Sequence, residues 1–349
     1  MPSTIYDIAK AANVGIGTVS RVFNNHPSVS KETRARVLRV ATRLNYRPHP
    51  YARGLARKRT NSVLSVIPFF ATFFFYEILQ GVQSKLSELE CDMILYGVNH
   101  PDLVEESLRN NILKSRVDGI LFFSMTMPES FASQNLEHHT PVVLVDTYHK
   151  NFDSLTVDNQ QGAYIATKHL LSLGHTRIGL LNANLETLPA RERLKGYRMA
   201  ITEAGLAVEP SLIKSSSAPR LDGFTREIGY DLMKKFIALG DDMPTAIFVA
   251  SDIQAMGALT ALTEAGLRCP EDVSIVGFDD IELAAHLGLT TMRQPMYDMG
   301  VLAADILSER LRDPSQDIIH RMFVPRLMVR KTCGASLVSQ PLVVEEQSA

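Results

Sequence analysis

The sequence predicts a chain of two parts, a small all-α module at the amino end and a larger α/β body with two doubly wound parallel sheets. Charge is one observation behind this prediction: residues 1–60 carry a net charge of +10, and the remaining residues carry −12. From residue 62 onward, short apolar runs alternate with amphipathic stretches that predict helices at about 73–90, 101–115, 159–173, 189–204, 222–239 and 252–266. This alternation is typical of parallel sheets with helices on both faces. The length of 349 residues leaves room for roughly two or three domains.

The basic module has the spacing of three short helices around a small core. Apolar residues recur there at helical intervals, and they are Ile5, Ile8, Ala9, Ala12, Val19, Val22, Phe23, Val37, Ala41 and Leu44. Asn13 falls in the turn between the first two helices, and asparagine tolerates the positive φ that such a turn requires. Ser30 is a predicted N-cap of the third helix. Two short helices across a tight turn, with a third that closes the core, make a helix-turn-helix unit.

The second of these helices begins beside two glycines, Gly15 and Gly17. In a helix-turn-helix unit, the start of the second helix enters the DNA major groove and meets base edges. Gly15 is a predicted N-cap, and Gly17 lets the helix end approach DNA closely. Ile16 offers an apolar contact to a thymine methyl, and Arg21 suits bidentate contact to guanine. The other outward-facing residues of this helix are Thr18 and Ser20.

The segment "YARGLARKRT" follows Pro48 and Pro50 and leads into the body. Its glycine makes a helix there weak in isolation, so we expect this linker helix to fold only against DNA. The segments "TIYDIAKAANVGIGTVSRVFNN", "RVATRLNYRPHPYARGLA" and "SVIP" resemble the headpiece, hinge and first core strand of the LacI/GalR family of bacterial transcription regulators. The hinge is most similar to that of the catabolite-control members, and the resemblance covers residues 3–330.

This resemblance implies a DNA-binding regulator of the repressor type, which binds a pseudo-palindromic operator as a homodimer or tetramer. It implies that Leu55 is inserted into the minor groove at the operator centre, as an apolar wedge that kinks the DNA. Ala52 would pack between the paired hinge helices. The predicted DNA contacts are completed by Thr4, Tyr6 and Asn24.

The resemblance also implies a domain organisation. The predicted headpiece is 1–47, the hinge helix and linker 48–60, the core 61–335 and the tail 336–349. The core is expected to be a periplasmic-binding-protein-like pair of subdomains. One would contain about 61–157 and 290–320, and the other about 158–288 and 321–335, with chain crossings near 158, 289 and 321.

Polar residues end several predicted strands of the body, and ligands bind beyond the carboxyl ends of strands in such sheets. Asp146 ends "VVLVD", and Asp279 ends "SIVGFD". The resemblance implies that Arg193 and Asp279 grip hydroxyls of a small effector, a sugar or sugar phosphate, in the cleft between the subdomains. The predicted polar shell is completed by Asp146, Ser251 and Gln294, and the predicted apolar wall contains Phe70 and Phe74.

Two hypotheses about the input signal stay open. In one, the core binds a small metabolite; in the other, it responds mainly to a phosphorylated carrier protein that docks on its surface. An enzyme is not expected, because the sequence has no G-x-x-x-x-G-K-[ST], no G-x-S-x-G and no paired histidines at metal spacing. No cofactor or metal is predicted.

The apolar stretch 63–79 is split by Pro68 and contains Glu77 near its end. It is also shorter than a clean membrane span, which needs about 20 residues, so we expect a buried strand that runs into a helix. The amino end lacks the apolar run of a signal peptide, and the three cysteines have no disulfide or metal spacing. The sequence therefore predicts a cytoplasmic, nucleoid-associated protein without membrane contact.

Overall fold

The computed structural model describes residues 4–23, 26–46, 60–68, 73–98, 104–107, 117–138, 140–217 and 222–334. These ranges contain a helical unit at the amino end and two sheets of six strands each in the body. The apolar stretch 63–79 contains, in its described part, a buried strand and the start of a helix, as expected.

Three helices form the amino-terminal unit, and they are α1 (Ile5–Ala12), α2 (Ile16–Phe23) and α3 (Lys31–Arg43). Their buried core consists of Ile8, Ala9, Ala12, Val19, Val22, Val37, Val40 and Ala41. Ser30 caps α3 as predicted, because its hydroxyl accepts a hydrogen bond from the Thr33 N–H at 3.2 Å. Asn13 adopts φ 51° in the turn between α1 and α2, which confirms the left-handed conformation predicted there.

The first sheet is fully parallel. Across the sheet its strands are β11 (His320–Phe323), β5 (Asp153–Val157), β4 (Val142–Val145), β3 (Gly119–Phe123), β1 (Ser62–Pro68) and β2 (Asp92–Val98). Its helices are α4 (Phe73–Glu88), α5 (Val104–Ser107), α6 (Glu129–His138) and α12 (Met296–Arg312). Every residue of β3 and β4 is buried, as expected for central strands that are covered on both faces.

The second sheet follows the same plan with one antiparallel edge. Across the sheet its strands are β12 (Arg326–Met328), β10 (Thr290–Arg293), β9 (Ser274–Asp279), β8 (Ala246–Val249), β6 (Ile178–Asn182) and β7 (Ile213–Ser215), and only β12 runs antiparallel to its neighbour. Its helices are α7 (Asn159–Ser172), α8 (Leu188–Glu203), α9 (Arg226–Ile237), α10 (Asp252–Glu264) and α11 (Glu282–His286). Short 3-10 turns cover Pro210–Leu212 and Gly240–Asp242.

The chain passes between the two sheets three times in its described part, and two of these crossings differ from the prediction. The first lies at Asp158, between β5 and α7. The second follows β10 rather than residue 289, because β10 pairs with β9 in the second sheet. The third follows β11 rather than residue 321, because all of β11 pairs with β5 in the first sheet. Strands of four residues without a continuous apolar run carry little sequence signal of the sheet to which they belong.

Several elements were not predicted at all. They are β5, β7, β10, β11, β12, α6, α11 and α12. The helix predicted at about 101–115 is described only at Val104–Ser107. The predicted helices at 73–90, 159–173, 189–204 and 252–266 are present with ends shifted by one or two residues, and the one at 222–239 is shorter.

Helices pack in pairs on the sheet faces, α4 against α12, α7 against α8 and α9 against α10. The pairs approach closely because glycines lie at the contacts. A Cβ added at Gly300 of α12 would lie 2.0 Å from the carbonyl oxygen of Ile78 in α4, and a Cβ at Gly81 would lie 2.1 Å from the carbonyl oxygen of Tyr297. Backbone therefore touches backbone between α4 and α12, and a methyl group has no room there.

We expect Gly300→Ala to destabilise the core by about 1–3 kcal/mol, because the two helices would have to separate. This loss should outweigh the gain of about 1 kcal/mol that alanine has over glycine inside a helix. Urea denaturation measures the free energy of unfolding. Glu309→Ala, at an exposed position of the same helix, is the matched control and should stay within about 0.5 kcal/mol of the parent. Equal stability of the Gly300→Ala protein and the parent would contradict the close contact.

Candidate functional site

The outward face of the amino-terminal unit carries the predicted DNA-contacting residues that the structure describes. Tyr6 is 67% exposed and Ile16 is 43% exposed, and Gly17 and Arg21 are also exposed. Thr18 and Ser20 are half-buried at the edge of this face. Residues four apart lie on the same side of a helix, so Gly17 and Arg21 share one side of α2.

The start of α2 has an open surface. The Gly15 carbonyl accepts hydrogen bonds from the N–H groups of Thr18 at 2.9 Å and Val19 at 3.2 Å, so Gly15 stands at the N-cap position. A Cβ added at Gly15 or at Gly17 would meet no atom within 4 Å. The two glycines are thus not required for packing within this unit, and they leave the backbone of α2 accessible.

Thr4 has a structural role in this unit. Its hydroxyl accepts a hydrogen bond from the Asp7 N–H, and the Asp7 carboxylate accepts one from the Thr4 N–H at 2.8 Å. This reciprocal capping box fixes the start of α1. The remaining predicted contacts Asn24, Ala52 and Leu55, together with Phe70 of the predicted apolar wall, lie outside the described residues.

A cavity lies between the two sheets, at the ends of their strands. Its volume is about 70 Å³, and it is lined by Phe74, Phe75, Ser124 and Asp146 from the first half and by Thr187, Pro189, Arg193, Asp222, Phe224 and Asp279 from the second. Four predicted residues, Phe74, Asp146, Arg193 and Asp279, therefore meet at one cavity. Pockets for small molecules usually measure about 300–1,000 Å³, so the two halves must move apart to admit a ligand of that size.

Arg193 is the buried cation of this cavity, with 5% of its surface exposed. Its Nε donates to Asn159 Oδ1 at 2.9 Å, and its Nη1 donates to the carbonyl oxygen of Ala250. Its guanidinium lies 3.8 Å from the ring centre of Phe278, in cation–π geometry. Its Nη2 is 3.9 Å from Asp279 Oδ1. The guanidinium is thereby held in one orientation at the cavity wall.

Asp279 ends strand β9 in an unusual backbone conformation, φ 120°. Its carboxylate accepts a hydrogen bond from Gln294 Nε2 at 2.6 Å. Burial raises the pKa of Asp279, although the Arg193 charge and the Gln294 hydrogen bond oppose this shift. Strained backbone is concentrated at ligand sites in proteins, which agrees with the place of Asp279 at the cavity.

Asp146 faces Arg193 from the first half. It follows β4 with φ 57°, and Ser124, which follows β3 with φ 50°, donates a hydrogen bond to its Oδ2 at 2.8 Å. Burial raises the pKa of Asp146 to about 6, against the opposing effects of the Ser124 hydrogen bond and the Arg193 charge. Protonated and ionised Asp146 are thus both accessible near neutral pH.

Ser251 and Gln294 do not line the cavity. The Ser251 hydroxyl instead caps α10 by accepting from the Gln254 N–H at 3.3 Å. Gln294 acts one step behind the cavity, through its hydrogen bond to Asp279. The polar shell therefore differs from the prediction: Ser124, Thr187 and Asp222 line it, and these residues were missed.

Among the residues that the structure describes, there is no group of three or more His, Cys, Asp or Glu side chains that could hold a metal ion. Within those same ranges, each helix is too short or too polar to cross a bilayer.

The raised pKa of Asp146 predicts a pH dependence of stability. The folded protein binds this proton more tightly than the unfolded chain, whose Asp pKa is about 3.9, so the free energy of unfolding should fall as pH rises from about 4 to about 6. Asp146→Asn removes this titration, and the variant should gain stability relative to the parent across that range. Chemical denaturation at several pH values measures the difference.

Asp272 provides a control, because its pKa is shifted in the opposite direction to that of Asp146. Hydrogen bonds from Arg268 lower the pKa of Asp272 to about 2. The Asp272→Asn variant should therefore lose stability relative to the parent as pH rises through its window of about 2 to 4. A stability difference for Asp146→Asn that is independent of pH would contradict the raised pKa.

Two known families match this chain. Residues 4–49 match the family described as bacterial regulatory proteins, lacI family, and this range contains α1, α2 and α3. Residues 167–333 match a periplasmic binding protein-like domain, and this range contains all six strands of the second sheet. The predicted fold class, a helix-turn-helix headpiece and an α/β core like that of periplasmic binding proteins, is confirmed.

Relatives with known roles match over nearly the whole chain. Catabolite control protein A of Priestia megaterium is 35% identical over 322 residues, which are 91% of this chain and 95% of that protein. A lac repressor dimer bound to operator and the anti-inducer ONPF superposes with a TM-score of 0.81 at 27% identity, over 95% of this chain and 99% of that one. A complex of the transcriptional regulator CelR with cellobiose has a TM-score of 0.70 at 30% identity, with the same coverage. These relatives are regulators rather than enzymes, and this chain is a DNA-binding transcription regulator that belongs to the lacI family of bacterial regulatory proteins.

Proposed function

We propose that this regulator is a repressor that binds a pseudo-palindromic operator as a dimer and is controlled by a small, uncharged, polyhydroxylated effector in the cleft. The observation that carries the proposal is the buried Arg193, held opposite Asp146 in a cavity between two sheets of a DNA-binding protein. Buried charged groups in a cavity at strand ends are typical of a ligand site.

The headpiece supports the DNA-binding half of the proposal. The start of α2 is exposed and free of side chains at Gly15 and Gly17, so its backbone can reach the edges of bases in the major groove. Arg21, one turn after Gly17, would read guanine. One headpiece covers only a half-site, and a two-fold dimer places two of them on a palindrome. Leu55 is proposed as the wedge at the operator centre on sequence grounds alone.

The charges of the cavity support an uncharged effector. Three carboxyl groups, those of Asp146, Asp222 and Asp279, line it, whereas Arg193 is the one cation among its described lining residues. Two Arg193 N–H groups already donate to Asn159 and Ala250, and Nη2 lies 3.9 Å from the Asp279 carboxylate. A phosphorylated sugar would therefore meet more negative than positive charge. Carboxylates accept hydrogen bonds from hydroxyls, and the rings of Phe74 and Phe224 offer an apolar surface to a sugar face. The structural relative CelR binds cellobiose.

The partner-protein hypothesis has less physical support. The body outside residues 1–60 carries a net charge of −12, which would repel a phosphorylated carrier protein unless a local cationic patch received it. Control by such a partner would also leave the buried groups of the cavity without a role. We keep this hypothesis as the alternative outcome of the effector experiment below.

An effector changes DNA affinity only if it binds two states of the core unequally. The cleft provides these states, because opening it moves one sheet relative to the other. The half that carries the hinge would then change its spacing across the dimer, and this would permit or prevent pairing of the two hinge helices.

Binding of DNA by the headpiece predicts that operator affinity depends steeply on salt. Two headpieces of +10 each should neutralise several phosphates, so affinity should fall on the order of a thousandfold between 50 and 200 mM salt. Arg21→Ala should weaken binding by about 1–3 kcal/mol and relax the preference at one base pair. Fluorescence anisotropy on a duplex selected from a random library measures both. Arg39→Ala, an exposed arginine on α3, is the control and should leave base preference intact. Affinity that is independent of salt would contradict binding by the headpiece.

The second prediction concerns the effector. Arg193→Ala should abolish the effector response, whatever its operator affinity is without effector. Loss of a charged contact from a buried site costs about 2–5 kcal/mol, which removes binding at ordinary metabolite levels. The experiment is an operator titration with and without each member of a panel of neutral saccharides and their phosphates. Lys195→Ala, on the exposed side of the same helix, is the control. A full response by the Arg193→Ala protein would place the effector elsewhere and favour the partner protein.

A further inference from the structure

Two buried carboxamides connect the cavity to the chain crossings between the sheets. Asn159 is the first residue of α7, immediately after the first crossing, and Gln294 lies in the second crossing, between β10 and α12. Both side chains are buried, with 6% and 3% of their surface exposed. Neither lines the cavity directly, yet each bonds to one of its two central charged residues.

Asn159 ties Arg193 to the first crossing. Its Oδ1 accepts from Arg193 Nε at 2.9 Å, and its Nδ2 donates to the carbonyl oxygen of Val157, the last residue of β5, at 3.2 Å. One carboxamide thus joins a charged residue of the second half to the end of a strand in the first sheet. The neighbouring Asp158 N–H donates to Phe323 O at 2.8 Å, so the first crossing is bonded to the third.

Gln294 ties Asp279 to the second crossing in a similar way. Its Nε2 donates to Asp279 Oδ1 at 2.6 Å, and its own N–H donates to the Asp279 carbonyl oxygen at 3.1 Å. The Met296 N–H, at the start of α12, donates to the Gln294 carbonyl oxygen at 2.9 Å. Because α12 packs against α4 of the first half, Gln294 lies in a continuous path from the Asp279 carboxylate to the first half.

We propose that Asn159 and Gln294 are positioning residues that couple the cavity to the crossings, so that a change at the Arg193–Asp279 pair is transmitted to the relative position of the two sheets. Arg193 Nη2 lies 3.9 Å from Asp279 Oδ1, and this ion pair links the residue bonded to Asn159 with the residue bonded to Gln294. Any ligand that draws Arg193 or Asp279 toward itself would then pull on two crossings together. The role of this coupling in the effector response rests on the proposed effector site, whereas the coupling between the crossings can be measured without an effector.

Hydrogen exchange followed by mass spectrometry on the full-length protein tests the coupling without any ligand. Asn159→Ala should speed exchange at the first crossing and also at the second, around residues 294–296, by roughly five- to tenfold, the factor that corresponds to the loss of one hydrogen bond. Gln294→Met should speed exchange at the second crossing, where it lies, and also at the first crossing. A purely local structural role would change exchange only near the substituted residue.

Two further variants complete the test. Asn159→Asp keeps an acceptor for Arg193 Nε but loses the donor to Val157 O, so exchange should rise at the first crossing and stay as in the parent at the second. Thr167→Val removes a buried hydroxyl that bonds Ala163 within α7, away from the crossings, and should change neither. Circular dichroism checks that each variant is folded. If Asn159→Ala or Gln294→Met does not fold, the other variant still tests the coupling.

The proposal is overturned if Asn159→Ala and Gln294→Met each affect only their own crossing. Failure of the effector proposal would look different, since it would appear as a full response of the Arg193→Ala protein in the operator titration, whatever the exchange rates are.

Discussion

A buried guanidinium cannot stay charged in a protein interior unless hydrogen bonds and negative charge compensate for the water that it loses. Arg193 meets this requirement with partners from three separate places: the Asn159 amide at the start of α7, the Ala250 carbonyl after β8 and the Asp279 carboxylate at the end of β9. These three elements must converge for the residue to be buried at all. Arg193 thus joins the start of α7, the end of β8 and the end of β9 at the cavity wall.

The sequence predicts those parts of the fold whose signal is local. Strands β3 and β4 are fully buried and read as continuous apolar runs, and Ser30 and Asn13 have chemistry that is specific to a cap and a turn. The strands β10 and β11 carry no such signal, since neither contains a continuous apolar run and the sheet of each is decided by tertiary contacts. Helix α12 begins without a side-chain cap, so its start lacks the usual marker.

The candidate site shows the same division. Asp146 and Asp279 directly end apolar strands, and Arg193 lies in a segment that resembles its family, so all three could be predicted. Ser124 and Asp222 could not, because loop backbone decides where they point: Ser124 has φ 50°, and Gly223 beside Asp222 has φ 87°. Ser251 and Gln294 are assigned to the shell by the family resemblance. Their side chains are instead engaged behind the cavity wall, by a helix-capping hydrogen bond and by a hydrogen bond to Asp279.

The open space over Gly17 has a consequence for how such a regulator changes its target. Gly17 is exposed, and a Cβ added there would meet no atom within 4 Å, so a small side chain such as that of alanine fits without repacking the domain. Most new functions have to be acquired against a loss of stability, whereas a residue added here would gain helix propensity over glycine. Where α2 enters the major groove as proposed, a side chain at position 17 would alter operator preference at little cost in stability.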